Sequence, residues 1–173
     1  IFSLLFGIGF SIIIANAVER GTNGFRIFYR RMVILLSVGF LHLMFLWSGD
    51  ILMLYALLGM LLPLFRNVSN RMLLVSAFGL LAVPIAVDFT VELSGIYPSA
   101  SVVKLQQTYC DKYGITDENF AYWLRDAKHY SGTFKFLVQG ALVRIQEFID
   151  GNRYFKVLGL FLLGFYIGRK RLY

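Results

Sequence analysis

The chain has 173 residues, 58% hydrophobic and only 16% charged, with 17 lysines and arginines against 10 acids for a net charge of +7. Its mean hydropathy of +0.66 is more apolar surface than a soluble domain of this size can use, so the composition excludes an ordinary globular domain and points to a helical membrane protein. Nucleic acid is excluded as a partner by where the charges fall. Arg20, Arg26, Arg30, Arg31, Arg66, Arg71, Arg169, Lys170 and Arg171 all lie in short segments beside apolar runs, the positive-inside pattern of cytoplasmic loops. Cys110 is the only cysteine, which rules out an intrachain disulfide and zinc-type spacing.

Ile1 to Val18 reads as the first span. It opens inside an apolar run, with no basic leader and no small-residue cleavage site, so the chain is expected to be a piece of a longer membrane protein. Ser3, Gly7 and Ser11 recur every four residues, a small-residue stripe suited to close helix packing. Gly7-Ile8-Gly9 lacks the third glycine and the preceding strand of a dinucleotide fingerprint. Glu19 to Arg31 is expected to be a polar cytoplasmic loop, broken at Gly21 and Gly24. Its arginines Arg26, Arg30 and Arg31 set topology and meet lipid headgroups, or they form an anion site for a phosphorylated cosubstrate, because guanidinium forks suit phosphate.

A hairpin follows. Met32 to Trp47 and Ile51 to Phe65 are nearly all apolar, separated by Ser48-Gly49-Asp50. Each arm is slightly shorter than the ~20 residues that span a bilayer unaided, and both arms are expected to be antiparallel helices. His42 interrupts the first arm near its middle, and an ionisable residue at that depth is a functional-site hypothesis. Folding at Ser48-Gly49 pairs positions whose numbers sum to about 97, which puts Tyr55 at the depth of His42 and Asp50 about two helical turns away at the outer turn. His42, Tyr55 and Asp50 are therefore the candidate catalytic cluster. The competing reading of His42 is an interhelical hydrogen bond.

Arg66 to Arg71 is an inner turn, and Met72 to about Val87 a fourth span kinked by Pro84. Asp88 and Glu92 follow at the outer surface, four residues apart and on one face if the helix continues. Tyr97 to about Arg153 is the one stretch of soluble composition, with a helix start at Thr116-Asp117-Glu118. Within it Thr133 to Asp150 is amphipathic: Phe134, Val138, Ala141, Ile145 and Phe148 share a face, while Lys135, Gln139, Gln146 and Glu147 occupy others. That helix is expected on the outer membrane surface or as a lid, and His129 as a solvated residue. Tyr154 to Ile167 is the last span, with Gly164-x-x-x-Gly168 as a second packing stripe.

The expected fold is thus all-α: a polytopic transmembrane bundle of about five spans, starting outside and ending inside. Residues 1–96 carry the first four helices, 97–153 the extracytoplasmic segment with its amphipathic helices, and 154–173 the fifth helix with its basic end. The outer segment holds eight basic residues (Lys104, Lys112, Arg125, Lys128, Lys135, Arg144, Arg153 and Lys156), but a stretch of its length largely escapes the charge rule.

Three stretches together resemble the YeiB-like family of bacterial membrane proteins (domain of unknown function 418). They are Phe2-Ser3-Leu4-Leu5-Phe6-Gly7-Ile8-Gly9-Phe10; Arg30-Arg31 followed by Gly39-Phe40-Leu41-His42; and Trp47-Ser48-Gly49-Asp50-Ile51-Leu52 with Tyr55-Ala56 and Gly59. Tyr130-Ser131-Gly132 with Arg144, and Leu163-Gly164 with Gly168-Arg169, resemble later landmarks more loosely, and Phe28-Tyr29-Arg30-Arg31 is similar to a basic motif of the wider acyltransferase group. The resemblance covers most of the chain and implies a central piece in a bacterial cytoplasmic membrane, with the family's opening and closing helices as its remaining partners. It further implies a transmembrane acyltransferase that takes an acyl group from cytoplasmic acyl-CoA, a substrate and not a resident cofactor, and passes it to an extracytoplasmic acceptor. His42 would then be general base or transient acyl carrier, Tyr55 its orienter or an oxyanion donor, and Arg26, Arg30 and Arg31 the holders of the CoA phosphates. A transporter or lipid flippase is the alternative, expected to show broken helices at mid-membrane, for which only Pro63 and Pro84 offer breaks. A structural or regulatory subunit is the third.

Overall fold

The computed structural model describes residues 1–47 and 49–172, without the side chain of Asp117. Ser48, the first residue of the expected hairpin turn, lies outside the described residues. Every regular element among the described residues is helical.

Helices α1 (Phe2–Glu19) and α9 (Arg153–Lys170) form the axis of the bundle. Their two small-residue stripes face each other. A Cβ on Gly7 would meet the Phe161 carbonyl oxygen at 2.1 Å, one on Gly164 the Leu4 carbonyl oxygen at 2.1 Å, and one on Gly168 the Ser11 Cβ at 2.6 Å. Backbone therefore touches backbone, the arrangement that small-x-x-x-small spacing permits. Aromatic rings close the seam on either side: Phe6 stacks on Phe161 at 4.5 Å, and Phe10 meets Phe28 at 4.6 Å and Phe165 at 4.9 Å. The other long face of α9 takes α4 (Asn70–Ser94), where Gly159 seats Leu81 and the Ala77 carbonyl.

Helix α2 runs from Gly24 to Phe45, which corrects the expected loop from Glu19 to Arg31. The Asn23 side chain accepts from the Phe25 and Arg26 amides and starts the helix by capping its free N–H groups. Gly24 does not break it. A Cβ there would meet the Ala17 Cβ at 2.8 Å, so this glycine is a packing residue under α1. Arg26, Arg30 and Arg31 are consequently helical.

The second arm is not one helix either. Helix α3 covers only Leu52–Gly59, and a 3-10 turn, Leu62–Phe65, follows with Pro63 in its first turn. Proline has no amide hydrogen to continue the ladder. Helix α4, by contrast, continues past the expected end near Val87, with buried Pro84 inside it, and stops at left-handed Gly95 (φ 65°).

By length and composition α1, α2 and α4 are long and apolar enough to cross a membrane, while Leu52–Phe65 is a shorter apolar stretch. Val33, Ile34 and Val38 of α2 and Val75, Phe78, Ile85 and Phe89 of α4 are exposed, the faces that a bilayer would cover.

The segment after α4 folds into α5 (Ala100–Tyr113), two single turns α6 (Asp117–Phe120) and α7 (Trp123–Asp126), and α8 (Tyr130–Asp150). Thr116 caps α6 reciprocally with Asn119, and His129 is exposed at the start of α8. Helix α8 is gripped by α5, α7, α2 and α9, so its exposed and buried positions differ from the expected stripe. Ile145 is exposed and Gln139 buried.

Basic segments gather at one end of the bundle. Arg169 donates to the carbonyls of Val68 and Arg66, both at 2.6 Å, and to Asn70 Oδ1 at 3.3 Å. The Arg66 guanidinium lies 4.5 Å over the Phe25 ring, and Arg171 is 4.0 Å from Glu19.

Candidate functional site

His42 lies in the last turn of α2, towards the end opposite the basic cluster. Its Nδ1 is 3.8 Å from Asp50 Oδ2. Asp50 is buried, at 6% exposure, and its other oxygen, Oδ1, accepts from the Leu52 amide at 2.8 Å. One carboxylate thus accepts from the first amide of α3 with one oxygen, where the helix dipole favours a negative charge, and turns the second to the imidazole. Both Nδ1 and Oδ2 are buried, and neither has a hydrogen-bond partner among the described residues. At 3.8 Å the pair is in ion-pair range and too long for a hydrogen bond. A contraction of about 1 Å would make the carboxylate–imidazole bond that fixes a tautomer, and such bonds are often long before substrate binds. With Nδ1 turned to Asp50, Nε2 is the nitrogen left for chemistry. The His42 side chain is 37% exposed.

The two-turn separation of His42 and Asp50 is therefore corrected: they touch. So is the hairpin register. A Cβ on Gly39 would meet the Met53 amide, and one on Gly59 the Met32 sulfur, each at 2.7 Å. Facing positions sum to about 92, not 97, because the loop from Leu46 to Ile51 comes back along the last turns of α2, so that α3 begins beside Gly39 and not beside Phe45. Tyr55 consequently lies about five residues, or roughly 7 Å, deeper than His42. Its hydroxyl pairs with Ser3 Oγ at 2.7 Å, and its ring packs edge-on against Phe6 and Phe161. The structure brings His42 and Asp50 together and assigns Tyr55 to the contact between α3 and α1.

Arg26, Arg30 and Arg31 line one groove of about 440 Å³ along α2, with Ile27 and Ile34. Arg26 and Arg30, four residues apart, share a face of the helix, and Arg31 borders the same groove from the adjacent face. None has a carboxylate in ion-pair range among the described residues. Arg31 also borders a second groove, of about 270 Å³, with Arg20, Thr22 and Asn16. Arg30 and Arg31 stand twelve and eleven residues before His42, roughly 17–18 Å along the helix axis, so the arginines and the imidazole mark opposite ends of α2.

Sequence reasoning missed what α8 contributes. Tyr130 donates its hydroxyl to the Phe45 carbonyl at 2.8 Å, and Phe134 lies 5.8 Å from Phe45, so α8 closes over the end of α2. Beyond this contact Trp47, Gly49, Phe120, Phe136, Gln139 and Arg144 line a pocket of about 210 Å³. Tyr130 enters only through the family resemblance, Arg144 through it and as one of the basic residues of the outer segment, and Gln139 among the polar faces of an amphipathic helix. No local pattern distinguishes a buried glutamine from an exposed one.

No family model matches the chain, and no solved structure matches it. Two relatives share part of it. YxaH of Bacillus subtilis (strain 168) is 40% identical over 80 residues, which is 46% of this chain and 20% of that protein. A 39.9 kDa protein from the amylase 3' region of Bacillus acidopullulyticus is 42% identical over 71 residues, 41% of this chain and 20% of its own length. Both relatives are uncharacterized. The chain matches only a fifth of either.

Proposed function

We propose that the protein is a multi-pass bacterial inner-membrane acyltransferase of the YeiB-like type, moving an acyl group from cytoplasmic acyl-CoA to an extracytoplasmic acceptor. The observation that supports this most is the buried Asp50 carboxylate, 3.8 Å from His42 Nδ1 at the far end of a membrane-length helix from three arginines on one groove. In this reading the end bearing Arg30, Arg66 and Arg169 is cytoplasmic, and Asp50 and the 97–153 segment face outward. Helix α9 and the α3 arm complete five spans.

The arginines hold the phosphates of the donor, and the acyl thioester reaches towards His42 along α2. His42 Nε2 takes the proton from the acceptor as the acceptor's oxygen or nitrogen attacks the thioester carbonyl. The C–S bond then breaks, and the proton passes from the imidazolium to the leaving thiolate. Asp50 orients the ring through Nδ1 and stabilises the imidazolium while it lasts. Tyr55, held by Ser3, plays no part at the reacting atoms.

His42→Gln in the full-length protein tests the reading. Glutamine can still hydrogen-bond, so the variant should insert and melt like the parent, while transfer falls by about 10²–10⁴-fold. A stable variant with near-parental transfer would make His42 a packing residue.

A further inference from the structure

The two nitrogens of His42 stand in different surroundings. Nδ1 is buried against Asp50. The side chain is still 37% exposed, and Nε2 is accessible, with no hydrogen-bond partner among the described residues. The ring therefore opens on its Nε2 edge. That edge borders an apolar face. Val38, one turn before His42, and Phe45, about one turn after it, share its side of α2, and both are exposed, as is Leu41. This is a face that a bilayer would cover, since α2 is long and apolar enough to cross one. His42 lies three residues inside the end of α2 at Phe45, roughly 4.5 Å along the axis. In a helix of membrane length that is close to headgroup depth. The way in from beyond the helix end is occupied by α8, whose Tyr130 and Phe134 meet Phe45. The lateral way, along the apolar face, is open.

We propose that His42 takes its acceptor from the membrane, and that the acceptor is a lipid-borne hydroxyl compound of the outer leaflet. Its chains lie against Val38 and Leu41, and its headgroup hydroxyl donates to His42 Nε2. A polar group facing lipid is costly when unpaired, and a headgroup hydroxyl gives the nitrogen a donor without leaving the bilayer. The acceptor role rests on the acyl-transfer reading. In that step the lipid oxygen attacks the thioester carbonyl and its proton passes to Nε2. The ester C–O bond forms, the C–S bond breaks, and the proton leaves on the CoA thiol.

Two measurements on the full-length protein in lipid nanodiscs test this. In the first, a spin label at His42→Cys, with all other cysteines replaced by serine, is relaxed by oxygen, which concentrates in lipid, and by a nickel chelate, which stays in water. Oxygen should dominate at position 42, as at Val38→Cys, while nickel dominates at Lys128→Cys in the outer segment. Nickel access at position 42 equal to that at 128 would put water on this face, and access to neither would put protein there; either result overturns the proposal. In the second, nanodiscs of bacterial total lipid receive radiolabelled acetyl-CoA and a lipid-free cell extract, with His42→Gln protein as the blank. Label should enter the chloroform phase at about 10²-fold or more above that blank. His42-dependent label in the water phase alone would overturn the lipid-borne acceptor and leave acyl transfer standing. No His42-dependent label in either phase would overturn the acyl-transfer reading, and the acceptor role with it.

Discussion

The α1–α9 seam and the α2–α3 hairpin are built from the same materials, apolar helix and glycine, yet they depend on them differently. In the seam, glycines are contact surface: carbonyl oxygens stand where side chains of Gly7 and Gly164 would be, and the Ser11 side chain where one of Gly168 would be. In the hairpin, Gly39 and Gly59 set a register, and that register decides which polar groups meet at the end of α2. The seam holds the bundle together; the hairpin aims its chemistry. Damage to the first should cost folding, and damage to the second should cost activity in a protein that still folds.

The largest effect should therefore come from the seam. Gly164→Leu would force a side chain into the Leu4 carbonyl, and overpacking against backbone should cost about 3 kcal/mol or more. Loss of the monodisperse peak in detergent is the expected outcome, and parental melting would show that the seam is not packed this closely.

Cross-linking examines the hairpin. With Cys110 replaced by serine, Met32→Cys with Gly59→Cys should oxidise readily, since those positions face each other. Met32→Cys with Phe65→Cys, the pair that a sum of 97 implies, should not. The opposite pattern would restore the sum of 97 and put Tyr55 back beside His42.

The smallest effect should lie outside both regions. Asp126, exposed in α7, has its carboxyl held below the usual range by its hydrogen bond to Arg125. A lowered pKa gives stability that is present above the unfolded value and lost as pH falls through the folded one, so the contribution vanishes only in acid below about pH 4. The pair is exposed and screened. Asp126→Asn should melt like the parent at pH 7, and a clear drop there would mean that the 97–153 segment depends on this pair.

The same contrast explains what could be read from sequence. The seam was legible because small residues every fourth position mean the same thing wherever a helix begins. Ser3, Gly7, Ser11, Gly164 and Gly168 all read as packing stripes, and Gly7, Ser11, Gly164 and Gly168 do pack closely, against one another, a pairing that the spacing alone does not name. Hairpin register depends on where the helices start and stop, and here the residues misled. Leu46, Trp47 and Ile51 are apolar yet belong to the loop. Asp50 reads as a turn residue but accepts from the first amide of α3 and turns inward. Gly24 reads as a breaker but packs under α1, so the start of α2 was placed too late. His42 and Asp50 were found for their chemistry, but their contact was not, because it rests on a five-residue difference in register. Gln139 was out of reach, since its burial comes from four helices that converge on α8.

The central claim is that Asp50, and not Tyr55, serves His42. Acyl transfer by full-length Asp50→Asn and Tyr55→Phe, measured side by side, tests it most directly. Asparagine Oδ1 can still accept from the Leu52 amide, and phenylalanine keeps the ring packing, so both proteins should fold. Transfer should fall by about 10²-fold or more in Asp50→Asn, in line with the 10²–10⁴-fold typical of general acid–base catalysis, and stay within a few-fold of the parent in Tyr55→Phe. An active Asp50→Asn protein beside an inactive Tyr55→Phe protein would contradict the account.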